Sequence, residues 1–97
     1  SGAAALPPGQ VAEAGLSRTL KEGSSGDDVK VLQQLLQEEE VYTDGLVTGY
    51  YGPFTKKAVI RFQEKYATDV LIPIGLSQGT GVVGSRTLGK MNALLAQ

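Results

Sequence analysis

The feature that most constrains the fold is residues 48–63, T-G-Y-Y-G-P-F-T-K-K-A-V-I-R-F-Q, where a glycine-rich turn leads into an amphipathic segment. Pro53 suits the first position of a helix, because proline lacks the N–H that would be unpaired there and its φ already matches. Apolar residues then recur at a helical period and share one face, at Phe54, Ala58, Val59, Phe62 and Tyr66. We therefore predict a central core helix that begins at Pro53 and ends near Tyr66 or Asp69.

Composition limits the chain to one small domain without cross-links. It has 97 residues, 41% hydrophobic and 20% charged, with no Cys or His. A domain of this size buries about 60–65% of its unfolded surface, so its core is modest. No disulfide or Cys/His zinc site can reinforce it, and we expect no cofactor. The net charge of −1 without a basic stripe argues against a nucleic-acid partner. No apolar run approaches the roughly 20 residues that span a bilayer.

Residues 1–19 predict a linker or N-terminal arm, and residues 20–97 the folded domain. Pro7-Pro8 favours extended backbone, and residues 1–15 show no sustained periodicity. We expect a linker to a neighbouring domain, and an arm that docks on another subunit is the alternative. Because the chain begins with Ser1-Gly2 rather than Met, we expect it to be processed or cut from a longer protein.

Two further amphipathic segments predict helices beside the central one. Residues 25–39 carry a wide apolar face, and Ser25 with Asp28 is typical of a capping box. A third helix begins near Ser85. Four residues of that helix are expected to point inward, namely Leu88, Met91, Leu94 and Leu95.

The connections are rich in turn residues. Asp44-Gly45, between short apolar pairs, favours a minimal hairpin in residues 41–51. Residues 67–81 predict a loop folded over the edge of the core, with or without a short strand. The fold class expected is all-α: a compact three-helix bundle with short connecting helical turns or a minimal hairpin, and an extended N-terminal arm.

The turn that begins the central helix occurs twice. T-G-x-x-G-x-x-T occupies residues 48–55 and again residues 80–87. An amphipathic helix follows each copy. We expect the same structure in both copies. The two residues after the first glycine, Tyr50-Tyr51 and Val82-Val83, should pack under the start of the helix, and the threonine hydroxyl should form hydrogen bonds with nearby backbone. The pattern suggests a duplicated unit packed about a shared core.

Four spaced groups of residues share the pattern of a known family. They are G-x-S-G-x-x-V-x-x-L-Q-x-x-L at 23–36, D-G at 44–45, Y-G-P-x-T-x-x-A-V-x-x-F-Q at 51–63 and G-x-V-G-x-x-T-L at 81–88. Together they resemble the bacterial peptidoglycan-binding domain of the three-helix type. This resemblance implies a non-catalytic module that attaches an exported protein or a linked hydrolase to murein. It therefore implies a location outside the cell or in the cell envelope.

The chain departs from the family at two connections. The segments 41–49 and 67–81 are longer than the family's usual turns. Loops of this kind often border a binding site, so these two can reshape or remove a groove.

Seven residues are candidate ligand contacts: Gln33, Tyr42, Asp44, Thr48, Tyr50, Arg61 and Gln63. A loop tyrosine offers a flat face to a sugar ring and a hydroxyl to its polar rim, which favours Tyr42 and Tyr50. The loop residues Asp44 and Thr48 accompany them.

The other three candidates have stronger structural alternatives. Arg61 can pair with a carboxylate of a stem peptide through its bidentate guanidinium, or form a surface salt bridge with Glu64 or Asp69. Gln33 and Gln63 lie at the borders of their apolar faces. There we expect bonds to loop backbone, with ligand contact as the alternative.

Catalysis is not expected from this sequence. It lacks His and Cys, the usual acid–base and nucleophilic groups, and it has no nucleophile elbow or phosphate-binding glycine loop. Two function classes stay open. One is a murein-binding module, and the other is a structural or assembly protein that uses its loops and N-terminal arm for protein contacts.

Overall fold

Four α-helices and one 3₁₀ turn form the fold in the computed structural model, which describes residues 16–43 and 46–96. In chain order they are α1 (Asp27–Glu38), α2 (Pro53–Lys65), α3 (Ala67–Val70), the 3₁₀ turn Ile72–Ile74 and α4 (Ser85–Leu95). The described residues contain no extended strand, only two isolated antiparallel bridges, Leu20 with Val83 and Ser25 with Tyr50. The all-α prediction is confirmed, and its three principal helices are α1, α2 and α4.

The central helix begins at Pro53 as predicted, and Gly52 precedes it in extended conformation. It ends at Lys65, where Tyr66 leaves helical geometry before α3 begins. Phe62 is fully buried, and its ring centroid lies 4.9 Å from that of Tyr66. Side chains from the other helices surround this face, and the buried cluster includes Val29, Leu32, Leu36, Ala58, Val59, Tyr51, Val83 and Met91.

One residue of the predicted apolar face does not enter the core. Phe54 is 53% exposed, so the prediction that it shares the buried apolar face of the helix is wrong. The first turn of α2 packs instead through Thr55, which is buried against Gln33 and Tyr42. Phe54 therefore lies beyond the edge of the core, where the Nζ of Lys57 is 5.9 Å from its ring centroid.

The predicted capping box is also wrong. α1 begins at Asp27 after Gly26, whose φ of 138° favours glycine, and no side chain caps the helix. The Asp28 carboxylate instead binds Arg18, with Nε–Oδ2 at 2.6 Å and Nη2–Oδ1 at 3.1 Å. Arg18 Nη2 also donates to the carbonyl of Ser25 at 2.7 Å. The Asp28 carboxylate thus binds the segment that precedes α1 and does not form the hydrogen bond to Ser25 that a capping box requires.

The chain before α1 packs along α4. Asn92 exchanges two hydrogen bonds with the backbone of Leu16, which is buried. The rest of the predicted arm, residues 1–15, lies outside the described residues.

The two long connections differ from each other. No strand forms in the described parts of residues 41–51 beyond the bridge at Tyr50, and the Asp44-Gly45 turn lies outside the described residues. Residues 67–74 form α3 and the 3₁₀ turn rather than a strand. Val70 and Leu71 are buried there, which confirms that this connection folds over the core.

Phe62→Ala tests the core assignment, and Phe54→Ala is its matched control on the same helix. Removing the buried ring of Phe62 should cost about 3–5 kcal/mol of unfolding free energy. Removing the exposed ring of Phe54 should change it by no more than about 0.5 kcal/mol. Urea denaturation measures both, and equal effects of the two substitutions would contradict the packing described here.

A polar contact joins the end of α1 to the end of α2. Glu39 accepts hydrogen bonds from the hydroxyl of Tyr66 and, at 3.1 Å, from Nζ of Lys65. The Tyr66 hydrogen bond, followed by Lys65, holds the pKa of the Glu39 carboxyl below its usual range, although partial burial opposes this. A carboxyl with a lowered pKa stabilises the fold above its unfolded pKa, and this contribution disappears as the pH falls through the folded pKa.

Glu39→Gln should therefore lower the unfolding free energy by a small amount at pH 7, about 0.2–1 kcal/mol. The difference from wild type should shrink as the pH falls below the ordinary glutamate pKa of about 4.3, and disappear once the pH is below the lowered pKa of the folded carboxyl, because the wild-type group is then protonated. Urea unfolding at pH 7, 5 and 3 measures this difference, with the exposed neighbour Glu38→Gln as control. A constant difference across this range would disprove the role of the charge.

Candidate functional site

A buried glutamine on α1 holds the turn before α2. The Oε1 atom of Gln33 accepts from the N–H of Thr48 at 2.8 Å and of Gly49 at 3.0 Å. Its Nε2 donates to the carbonyl of Tyr50 at 2.9 Å and to Oγ1 of Thr55 at 3.0 Å. The Gln33 side chain is 0% exposed, and its one amide group satisfies four polar groups of a segment whose β pairing is limited to the isolated bridge between Tyr50 and Ser25.

Gln63 on α2 repeats this arrangement for the turn before α4. Its Oε1 accepts from the N–H of Thr80 at 2.8 Å and of Gly81 at 3.1 Å. Its Nε2 donates to the carbonyl of Val82 at 2.8 Å and to Oγ1 of Thr87 at 3.1 Å. Gln63 is 2% exposed. The loop-bonding role expected for both glutamines is confirmed.

The duplicated turn predicted from T-G-x-x-G-x-x-T is therefore present in the hydrogen bonds as well as in the sequence. In each copy the first threonine hydroxyl also accepts from an N–H two residues on, that of Tyr50 at 3.2 Å and that of Val82 at 3.1 Å. Only the second member of each expected pair is buried, Tyr51 and Val83, whereas Tyr50 and Val82 face outward.

Tyr51 connects the two copies. Its hydroxyl donates to the carbonyl of Gly81 at 2.6 Å, and burial, with a smaller effect of Glu22, raises its pKa far above the usual range. Tyr51 is therefore a neutral, buried link between the two turns and a part of the core.

Above the first turn lies a cleft of about 310 Å³. We call it the aromatic cleft, and its lining residues are Tyr42, Leu46, Thr48, Tyr50, Gly52, Pro53, Phe54 and Thr55. Tyr50 is 54% exposed and Leu46 75%, and the described lining residues carry no charge. Such a surface, apolar with hydroxyl groups at its edge, suits a flat, neutral and partly polar ligand.

Above the second turn lies a smaller cleft of about 130 Å³. We call it the arginine cleft, and its lining residues are Gln63, Val70, Leu71, Ile74, Thr80, Val82, Gly84, Ser85, Arg86 and Thr87. Six of these lie 32 positions after a lining residue of the aromatic cleft, in the order Thr80, Val82, Gly84, Ser85, Arg86 and Thr87. The two clefts are thus equivalent parts of the duplicated unit.

The structure brings together three of the seven predicted contacts, Tyr42, Thr48 and Tyr50, in the aromatic cleft. Gln33 lies beneath that cleft, and Gln63 lies beneath the arginine cleft. Arg61 lines neither cleft, and its Nη1 lies 3.3 Å from the carbonyl of Val41. Asp44 lies outside the described residues.

Among the cleft residues that sequence reasoning did not propose as contacts are Leu46, Phe54 and Arg86. The repeat held a signal for the last two. Phe54 and Arg86 occupy the same variable position in T-G-x-x-G-x-x-T. A position that holds a phenylalanine in one copy and an arginine in the other is expected to lie outside the core.

Neither a metal site nor a membrane-spanning helix is found in the described residues. These residues contain no group of three or more side chains suited to hold a metal ion. None of the helices formed by residues 16–43 and 46–96 is long and apolar enough to cross a membrane.

Gln33→Glu tests whether the buried amide holds the first turn. The substitution removes both Nε2 donors and places a carboxylate among backbone groups, so we expect a loss of at least about 3 kcal/mol of unfolding free energy. Gln34→Glu makes the same chemical change one residue later, on the exposed side of α1, and should leave stability within about 0.5 kcal/mol of wild type. Chemical denaturation measures both, and a neutral Gln33→Glu would refute the assignment.

Comparison with known proteins gives one match. Residues 25–70 match the model of a family described as "Putative peptidoglycan binding domain". No curated protein and no solved structure matches the chain. The matched segment runs from just before α1 to the end of α3 and contains Gln33, the first turn and the whole of α2. The resemblance predicted from the sequence is thus confirmed over residues 25–70.

Proposed function

We propose that this chain is a non-catalytic module that anchors an exported bacterial protein, or a hydrolase linked to it, to murein, and that the aromatic cleft contacts the glycan. The family match supports peptidoglycan as the partner. The observation that carries the choice of site is the half-exposed Tyr50 beside Phe54 in a cleft whose described lining is uncharged.

The ring of Tyr50 lies beside Gly52, where no side chain covers it. A Cβ atom at Gly52 would lie 3.5 Å from two of its ring carbons. Its own backbone is fixed by Gln33 and by the bridge to Ser25. A tyrosine side chain has only two rotatable χ angles, so on a fixed backbone it loses little conformational entropy on binding, which favours affinity for a sugar ring.

The long 41–49 segment supports this site by forming one of its walls. Leu46 and Thr48 line the cleft, and the hydroxyl of Tyr42 donates to the carbonyl of Leu46 at 2.9 Å. We retain Asp44 and Arg61 as proposed secondary contacts, because the first belongs to this segment and the second bonds its start at Val41. We assign Gln33 the role of positioning the cleft rather than touching ligand, and Gln63 the same role at the other turn.

A shallow cleft of this kind supplies modest affinity alone. Connection to a second wall-binding or catalytic domain would raise the effective concentration of both at the wall. We therefore place the protein at the cell wall or elsewhere in the envelope. The alternative, an assembly protein that uses its N-terminal arm, depends mostly on residues 1–15, and no observation favours it over wall binding.

The test is a sedimentation assay with purified murein sacculi. Tyr50→Ala should weaken binding about tenfold, equivalent to about 1.4 kcal/mol, because it removes the exposed aromatic face. Circular dichroism should remain that of the wild type, since the ring lies outside the core.

Ile72→Ala is the matched control. This residue is exposed and apolar like Tyr50 but lines neither cleft, so its binding should equal that of wild type. Absence of wild-type binding to sacculi at any salt concentration would remove the proposed function. Equal binding by Tyr50→Ala and wild type would contradict the assignment of the glycan-binding site to the aromatic cleft.

A further inference from the structure

The two clefts share a frame but differ in the side chains they present. The place of Phe54 in the first is taken by Arg86 in the second, and the place of Tyr50 by Val82. The arginine cleft therefore offers no aromatic face to a sugar. It has less than half the volume of the aromatic cleft, about 130 against 310 Å³, so it accepts a smaller group.

Arg86 is the only charged residue among the described residues that line the arginine cleft. Within the described part of the chain its guanidinium makes no hydrogen bond or ion pair, and its side chain is exposed. On its other side, Arg86 borders a depression with Asp69 and Lys90. Those two pair with each other at 3.0 Å, so the three charges leave a net +1 beside the cleft.

Four apolar side chains line the cleft, together with the hydroxyl residues Thr80, Ser85 and Thr87. Ile74 and Val82 are both partly exposed at its edge, and Val70 and Leu71 close its floor. An apolar recess next to an unpaired guanidinium complements a ligand with a small apolar group beside a carboxylate, because the guanidinium fork binds both carboxylate oxygens at once.

We propose that the arginine cleft binds a short peptide with a free carboxylate next to a small apolar side chain. The carboxylate pairs with Arg86, and the side chain lies between Ile74 and Val82. This proposal rests on the proposed function and deepens it, because murein consists of glycan strands that carry short peptides with free carboxylates. The aromatic cleft would then bind the glycan and the arginine cleft the peptide.

The experiment is a titration of the ¹⁵N-labelled chain with N-acetyl-D-alanyl-D-alanine, followed by amide chemical shifts. Saturable shifts should centre on Ser85, Arg86 and Val82 and leave Tyr50 unaffected. The same dipeptide with a C-terminal amide should bind at least about tenfold more weakly, because it lacks the charge that pairs with the guanidinium.

Arg86→Gln should weaken binding of the carboxylate peptide by at least about tenfold and remove the preference for carboxylate over amide. Lys21→Gln makes the same change in net charge at an exposed position that lines no described cleft, and should bind as wild type does. Equal affinity of Arg86→Gln and wild type, equal affinity for acid and amide, shifts centred on Tyr50, or no saturable shift in the wild type would each overturn the proposal.

Sacculus binding separates this inference from the function on which it rests. Tyr50-dependent binding to sacculi without any response to the dipeptide would remove only the peptide site. Arg86-dependent peptide binding without retention by sacculi would remove the anchoring function and leave a carboxylate-binding cleft.

Discussion

Two buried side-chain amide groups, those of Gln33 and Gln63, hold the turns that form the two clefts. Residues 20–26 pair with part of the backbone in the turns before α2 and α4. The N–H groups of Thr48, Gly49, Thr80 and Gly81 are bonded instead by Gln33 and Gln63 and would be unpaired without them. Each buried group left unpaired costs about 1–3 kcal/mol, so one glutamine that satisfies several such groups contributes as much as a short strand would. Glutamine suits this task because one side chain offers both two donors and an acceptor with two lone pairs.

This arrangement separates the residues that hold the fold from those that face a ligand. The inward groups of each turn are backbone atoms and threonine hydroxyls, and they are the same in both copies. The outward positions are free to differ, which explains how Tyr50 and Phe54 in one copy correspond to Val82 and Arg86 in the other without changing the frame. Our two functional proposals both use these outward positions.

The sequence predicted well whatever depends on local pattern. Pro53 and the helical period placed the central helix, the repeated motif predicted the duplicated turns, and the border positions of Gln33 and Gln63 predicted their bonds to the loops. The predictions from sequence were wrong where a residue distant in the chain determines the contact. Asp28 binds Arg18 and does not form the predicted capping box. Phe54 lies outside the core, because the helical period does not show how far the core extends along the helix. The clefts themselves arise from separate segments, so only the three-dimensional fold displays them.

Hydrogen bonds connect the two turns to each other. The hydroxyl of Tyr51 bonds the carbonyl of Gly81, and residues 20–26 pair with both turns, through Leu20 with Val83 and through Gly23 and Ser24 with Tyr51. A ligand that engages both clefts would lose its translational freedom once, and the second contact would then act at high effective concentration. Under our two proposals, two weak contacts on one frame would therefore hold a polymer such as murein more firmly than either contact would hold its isolated fragment, and the separation of the clefts would favour ligands whose neutral and acidic parts lie equally far apart.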